Sequence, residues 1–172
     1  WVLDTRAATA THLDDAPLAL ASFTKSYIAD RAADAVMAAS DAIDGTVVNI
    51  GGDIVVRGTI TEAVDIRDPR ADAENDPSLT QLMVHEAAIA TSGSYRRGFD
   101  IAGRHYSHII DPRTGRPADE IISATVEASD PATAGALATA FSVMTPQQST
   151  HLAEQFRDVD YLIVKRDGSL YA

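Results

Sequence analysis

Thr46-Val-Val-Asn-Ile-Gly-Gly-Asp-Ile-Val-Val-Arg-Gly58 is the stretch that decides the fold. Two β-branched runs flank Gly51-Gly52, which predicts a strand over 46–50, a tight turn, and a second strand over 54–58. So short a return pairs the two strands antiparallel. Upstream, Ile28, Ala32, Ala35, Ala39 and Ile43 recur at spacings of three and four in an Ala-rich segment. That spacing predicts a helix capped at Ser22 or Thr24 and stopped at Gly45. The first eleven residues have β-compatible content for a strand and turn.

Downstream, Ala63 to Ile66 reads as a strand, Asp68-Pro69-Arg70 as a charged loop, and Leu82 to Thr91 as one further strand. Tyr95 to Asp100 and Arg104 to Ile110 form hairpin arms about Ala102-Gly103. Ile122 to Ala128 alternates as a strand. A helix over Ala132 to Met144 places Ala134, Leu137, Ala138 and Phe141 on one face. Pro146 opens another helix, running to about Phe156. Tyr161 to Val164 and Ser169 to Tyr171 close the chain as a hairpin across Arg166-Asp167-Gly168. Hairpins with interspersed helices predict an α+β fold with a mainly antiparallel sheet and packed helices. No linker divides residues 1–172, so a single domain is expected.

The chain has 172 residues, 45% of them hydrophobic, enough for a real core. Its formal net charge is -11, which opposes binding to nucleic acid and to anionic membrane surfaces. No apolar run is long enough to span a membrane. Cysteine is absent, which removes disulfides and thiolate chemistry. Basic residues gather at Arg96-Arg97-Arg104 and Arg113-Arg116, a pattern suited to a small anionic ligand. The chain opens on Trp1-Val-Leu-Asp, so a leading segment is expected to precede it in the full protein.

Ser107 to Pro117, SHIIDPRTGRP, carries the strongest chemical signal. As a strand it places His108 and Ile110 on one face and Ile109 on the other. Asp111-Pro112 begins a turn that Thr114-Gly115 ends, and its arginines, threonine and free amides suit a phosphate or ribityl chain. An ordinary surface turn is the alternative. His105 and His108 have a parity that disfavours joint metal ligation, and His85-Glu86 lacks a second histidine. His12 and His151 read as surface residues. The acidic run Asp65, Asp68, Asp72, Glu74, Asp76 lacks calcium-loop spacing and reads as a solvated loop. Lys25 stands near a helix N-terminus, where an anion is favoured. Either it meets a phosphate there or it faces solvent. Gly135 costs about 1 kcal/mol inside a helix relative to alanine. It permits close packing, or it stands where a functional side chain once did.

Five segments together resemble the ApbE-type FAD:protein FMN transferase family: Ser22-Phe-Thr-Lys-Ser-Tyr-Ile-Ala-Asp-Arg-Ala-Ala, Val48-Asn-Ile-Gly-Gly-Asp-Ile, Ala90-Thr-Ser-Gly-Ser-Tyr-Arg-Arg, Tyr106 to Pro117, and Ala136-Leu-Ala-Thr-Ala. The resemblance implies the ApbE-like (T-fold-like) fold and an enzyme that moves FMN from FAD onto a threonine of a target flavoprotein. It implies that Lys25, His108 and Ile109 line the flavin site, with Lys25 and His108 as catalytic candidates. It places Mg2+ on the main-chain carbonyl of Ser22, on Thr139, and on an aspartate position that here is Gly135. The usual acidic or amide residue of the lysine motif falls on Ala19, and the usual Ala-Lys-Gly is Thr24-Lys25-Ser26. The resemblance also implies a missing N-terminal portion of the domain and a periplasmic or membrane-anchored location outside the cytoplasm. A degenerate relative that binds flavin or a partner with little turnover is the alternative.

Overall fold

The computed structural model describes residues 2–15, 20–71, 73, 76–95 and 97–172, with the side chains of residues 21–23 left out. Trp1, Ala19, Asp72, Glu74 and Arg96 therefore lie outside the described residues. The elements run β1 (Val2–Asp4), β2 (Thr9–Thr11), α1 (Ala21–Met37), β3 (Gly45–Ile50), β4 (Asp53–Gly58), β5 (Glu62–Arg67), β6 (Ser78–Val84) and β7 (Ala88–Gly93). They continue with β8 (Gly98–Ile101), β9 (Arg104–Ser107), β10 (Ile110–Asp111), β11 (Arg116–Pro117), β12 (Ile121–Ala128), α2 (Pro131–Phe141), α3 (Pro146–Ala153), β13 (Val159–Lys165) and β14 (Leu170–Tyr171). The fold is α+β, and every ladder among the described residues runs antiparallel.

The six-stranded sheet has the order β14-β13-β12-β7-β4-β3. Alternation on its strands sends Ala90, Ala124 and Val126 to one face, where α2 packs with Leu137, Ala138 and Phe141. Val55 and Ala88 lie on that face too, under Ala29 and Ala33 of α1. The opposite face buries Val56 and Ile89 against Val64, Ile66 and Val84 of the β5–β6 hairpin. Pairing is uneven across the sheet. β7 meets β12 over Ala88 to Gly93, whereas it meets β4 only at Ile54↔Ile89 and Val55↔Ala88.

The Gly-Gly hairpin forms as the sequence predicts, with Gly51 at φ 60 and Gly52 at φ 95. A Cβ at either would meet nothing within 4 Å, so the backbone conformation, rather than space, calls for glycine there. Several boundaries differ; α2 and α3 each end about a turn early, at Phe141 and Ala153, and three other differences are larger in consequence. α1 ends at Met37 rather than running on to residue 44, because the next residues close a turn from Ile43 N–H to the Ser40 carbonyl. Its buried face is Ser26, Ala29 and Ala33, while Ile28 stays half exposed. Small residues let α1 approach the sheet, and Ser26 is drawn inward by a carboxylate partner. Neither Ser22 nor Thr24 caps the helix: Leu20 holds the N-cap position, and the Thr24 hydroxyl donates back to the Leu20 carbonyl. The expected strand over Leu82 to Thr91 is divided between β6 and β7 at Glu86, whose φ is 49.

Glu127 faces Asp160 directly across the β12–β13 ladder. Desolvation first, then the Asp160 carboxylate, pushes the Glu127 carboxyl above its ordinary value of 4.5. The folded chain then holds this proton to higher pH than the unfolded chain does, so stability falls as pH rises from 4.5 through the folded value. Glu127→Gln should gain about 0.2–1 kcal/mol at pH 7, the range for opposed like charges in a sheet. It should gain nothing once both carboxyls are protonated. Urea unfolding at the two pH values checks this, and an equal gain at both would exclude charge repulsion.

Candidate functional site

The β3–β4 turn and the first turns of α1 meet at one carboxylate. Asp53 opens β4, and its side chain is 7% exposed. The Lys25 Nζ donates to Asp53 Oδ1 at 2.8 Å, and the Ser26 hydroxyl donates to Oδ2 at 2.7 Å. Lys25 is therefore neither free in solvent nor aimed by helix position alone. Its side chain is 47% exposed, and two ammonium hydrogens remain beyond the one given to Asp53. Gly52 N–H donates to the Asn49 side-chain oxygen at 3.0 Å, which fixes the turn beside them.

Asp53→Ala should destabilise the fold by about 1–3 kcal/mol, because it leaves the buried Ser26 hydroxyl without a partner. The Lys25 contribution is smaller, since half of that side chain is in water. Chemical unfolding of Asp53→Ala beside Ser26→Ala checks this. The double variant should recover part of the loss, and simple additivity would rule out the coupling.

Lys25, Gly51, Gly52 and Asp53 form one wall of a cleft of about 800 Å³. Ala90 to Gly93, Tyr95, Arg97 and His108 to Ile110 form the other wall, with Gly135 and Thr139 of α2 between them. The sequence-predicted set Lys25, His108, Ile109, Gly135 and Thr139 is thus brought together. Ser22 belongs to the first turn of α1, and its side chain lies outside the described residues.

The histidine wall differs from expectation. β9 ends at Ser107, so His108 is not on a strand, and His108, Ile109 and Ile110 all line the same cleft. The buried Ser107 hydroxyl accepts from Ile109 N–H at 3.0 Å and ends the extended run. His108 Nδ1 lies 3.0 Å from the Arg97 carbonyl. A carbonyl only accepts, so the neutral ring carries its proton on Nδ1 and leaves the Nε2 lone pair available.

The loop after it also departs from expectation. Thr114 and Gly115 N–H donate to the Asp111 carbonyl, Arg113 N–H to the Asp111 carboxylate, and Arg116 N–H to the Thr114 hydroxyl. These four amides are therefore engaged within the turn rather than held free for a phosphate. Arg113 is clamped bidentately by Asp111, at 2.9 Å on each oxygen, and reaches the Val143 carbonyl. Asp68-Pro69-Arg70 repeats this clamp far from the cleft, with N–H, Nε and Nη2 all on the Asp68 carboxylate. The clamping arginine holds each aspartate below the usual carboxylate range. Asp-Pro-Arg is thus a self-contained turn. Asp111 to Pro117 faces a separate hollow of about 490 Å³ with Arg104, His105 and Thr145.

Elsewhere the expected anion-binding arginines are spoken for or dispersed. Arg104 pairs with Asp119 at 3.3 Å and lies over the Tyr106 ring. Only Arg97 of the predicted clusters lines the cleft, and Arg96 lies outside the described residues. His105 bonds Asp100 at 2.9 Å and the Ser94 carbonyl at 3.0 Å, and the Asp100 bond raises its pKa. His105 and His108 therefore serve different pockets. His85 bonds the Ile60 carbonyl, and Glu86 accepts from Gly58 N–H. His151 is exposed beside Glu154, and His12 lies near Asp14. In the acidic run, Asp65 accepts from Gln81 and Asp76 from Ala73 N–H, as a solvated loop would.

Asp53, Ser92 and Tyr95 line the cleft but are absent from the sequence-predicted site set, whereas Arg97 entered only as part of a basic cluster. Asp53 had a visible signal, a carboxylate between a Gly-Gly turn and an apolar strand. Ser92 had none, because its contact with the Thr139 hydroxyl at 3.2 Å spans 47 residues.

The ApbE family model matches residues 2–163. The chain belongs to the ApbE family. The FAD:protein FMN transferase of Vibrio cholerae is 37% identical over 155 residues, covering 86% of this chain and 45% of that protein. That of Treponema pallidum is 33% identical over 168 residues, covering 90% and 45%. Among solved structures, the ApbE protein of Thermotoga maritima superposes with a TM-score of 0.76 at 31% identity, over 88% of this chain and 50% of that one. The flavin transferase ApbE of V. cholerae gives 0.65 at 31% identity, over 88% and 48%. The chain thus spans about half the length of the relatives it matches. The family match takes in every residue that lines the cleft.

Proposed function

We propose that the cleft between the β3–β4 turn and the His108 wall holds FAD for transfer of its FMN part to a threonine of a partner flavoprotein. The observation that carries the reading is the convergence of Lys25, His108, Ile109 and Thr139, four separated motif positions, on one 800 Å³ space. That volume is ordinary for a cofactor site. Ile109 and Ile110 supply apolar contact for a flavin ring, and Lys25 supplies hydrogen bonds to a phosphate. In the transfer, the acceptor hydroxyl oxygen bonds to the FMN phosphorus, the bond from that phosphorus to the bridging oxygen breaks, and AMP leaves. The hydroxyl proton passes to His108 Nε2, whose lone pair is set by the Arg97 carbonyl.

The family resemblance adds Mg2+ at this site, but the residues present fit it poorly. Magnesium is held by one or two carboxylates. Gly135 has no side chain, and the Thr139 hydroxyl donates to the Gly135 carbonyl at 3.1 Å. Among the described residues no three His, Asp or Glu side chains gather where a metal could sit. No step is therefore assigned to a metal.

Gly135 favours a second reading, a relative that holds flavin without turnover. Incubating the protein with FAD and Mg2+, with and without a threonine-bearing flavoprotein, separates the two. AMP release with flavin covalently on the threonine supports transfer. Saturable FAD binding without AMP leaves the holding role, and no binding sinks both. We further propose, on the resemblance alone, a location in the periplasm or anchored outside the cytoplasm, which fractionation of cells making the protein would test. Among the described residues no helix is long and apolar enough to cross a membrane.

A further inference from the structure

We infer that this cleft neutralises the phosphates of its ligand with side-chain cations and needs no divalent metal to bind it, an inference that rests on the FAD reading above. Among the described residues, three that line the cleft are charged: Lys25, Arg97 and Asp53. Two cations thus face one carboxylate inside a chain whose formal net charge is -11. A ligand anion meets a local excess of positive charge there.

The one carboxylate is already committed. Its Oδ1 takes the Lys25 ammonium and its Oδ2 the Ser26 hydroxyl, both within 2.8 Å. A cation at Asp53 would have to displace Lys25 from a side chain that is almost fully buried. On the α2 side the oxygens are neutral and mutually bonded: Thr139 donates to the Gly135 carbonyl, and Ser92 lies 3.2 Å from Thr139. A hard divalent cation finds no free negative oxygen here.

Arg97 is placed to complete the cationic set. Its carbonyl holds His108 through both N–H and Nδ1. Arg97 is exposed where it lines the cleft, and no ion pair ties its guanidinium to a carboxylate among the described residues. A planar fork of this kind matches a phosphate bidentately. Lys25 keeps two donors for the same purpose. The pyrophosphate would then lie between the α1 wall and the Arg97 strand end, where a metal would otherwise bridge it.

The test is FAD binding, read by flavin fluorescence, in EDTA and in excess Mg2+. The affinity should agree within about twofold between the two buffers and fall as salt rises. Arg97→Ala keeps the carbonyl that holds His108 and should weaken FAD about tenfold while leaving riboflavin unchanged. Lys25→Gln should do the same. Gly135→Asp should introduce a Mg2+ dependence of about tenfold or more that the parent lacks. Binding that disappears in EDTA and returns with Mg2+ in the parent chain overturns the inference while leaving the FAD reading intact. No binding in either buffer overturns both. Equal loss of FAD and riboflavin in Arg97→Ala also overturns the inference, because it would mean a damaged wall rather than a lost phosphate contact.

Discussion

His108→Ala should slow the proposed FMN transfer by about 10²–10⁴-fold while leaving FAD affinity within a few fold. The size follows from the tautomer. Nδ1 is committed to the Arg97 carbonyl, so the only lone pair on the ring is at Nε2, and alanine removes it. The proposed FAD contacts from Ile109 and Ile110 should remain, because the turn is held by the Ser107 hydroxyl and by the backbone bond from residue 108 to the Arg97 carbonyl. The measurement is AMP release at saturating FAD together with covalent flavin on the acceptor. His108→Gln keeps a hydrogen-bonding side chain but accepts no proton, so it should stay slow. A His108→Gln variant at full speed would show that the ring positions the acceptor instead of taking its proton.

Phe141→Ala should cost about 3–5 kcal/mol of folding stability. Phe141 is fully buried where α2 meets the sheet, and it packs edge-on to Tyr161 at 5.4 Å with the rings at 73°. Truncation loses that ring pair as well as the transfer energy of the side chain. Leu137 and Ala138 remain on the same face, so the helix should still form but sit more loosely. Since α2 carries Gly135 and Thr139, FAD affinity should fall with stability and recover on cooling or with ligand excess. Urea unfolding measures the first effect. A loss below about 1 kcal/mol would mean that α2 is held chiefly by contacts other than Phe141.

The legible parts of the fold were those with local causes. The Gly-Gly hairpin, the Ala102-Gly103 turn (φ 50 and 77) and the buried face of α2 follow from residues adjacent in sequence. The α1 register was misread because Ile28 and Ala32 imitate an apolar stripe. The true face is chosen by the Ser26–Asp53 bond, whose partners are 27 residues apart. The long strand through residues 82–91 was misread because positive φ at Glu86 leaves no mark in an apolar run. For the site, the motif positions Lys25, His108, Ile109 and Thr139 were visible, and the resemblance supplied their grouping. The Asp111–Gly115 loop has fewer free donors for a phosphate than its composition suggests. Its amides and Arg113 are consumed inside the turn, a bookkeeping of donors that composition alone does not reveal.

The thin pairing between β4 and β7 bears on motion. Two residue pairs and a bond from Val56 N–H to the Ala87 carbonyl join the backbone of the β3–β4–α1 unit to the rest of the sheet. Beside them, the Glu86 side chain accepts from Gly58 N–H and Arg57 reaches the Ser129 carbonyl. The cleft straddles this joint, with Lys25 and Asp53 on one side and His108 and Thr139 on the other. Breathing along it would part the two walls as jaws, with no need for a separate lid. Amides of the joint should therefore exchange with solvent faster than those of β12, and a ligand gripping both jaws should slow them selectively.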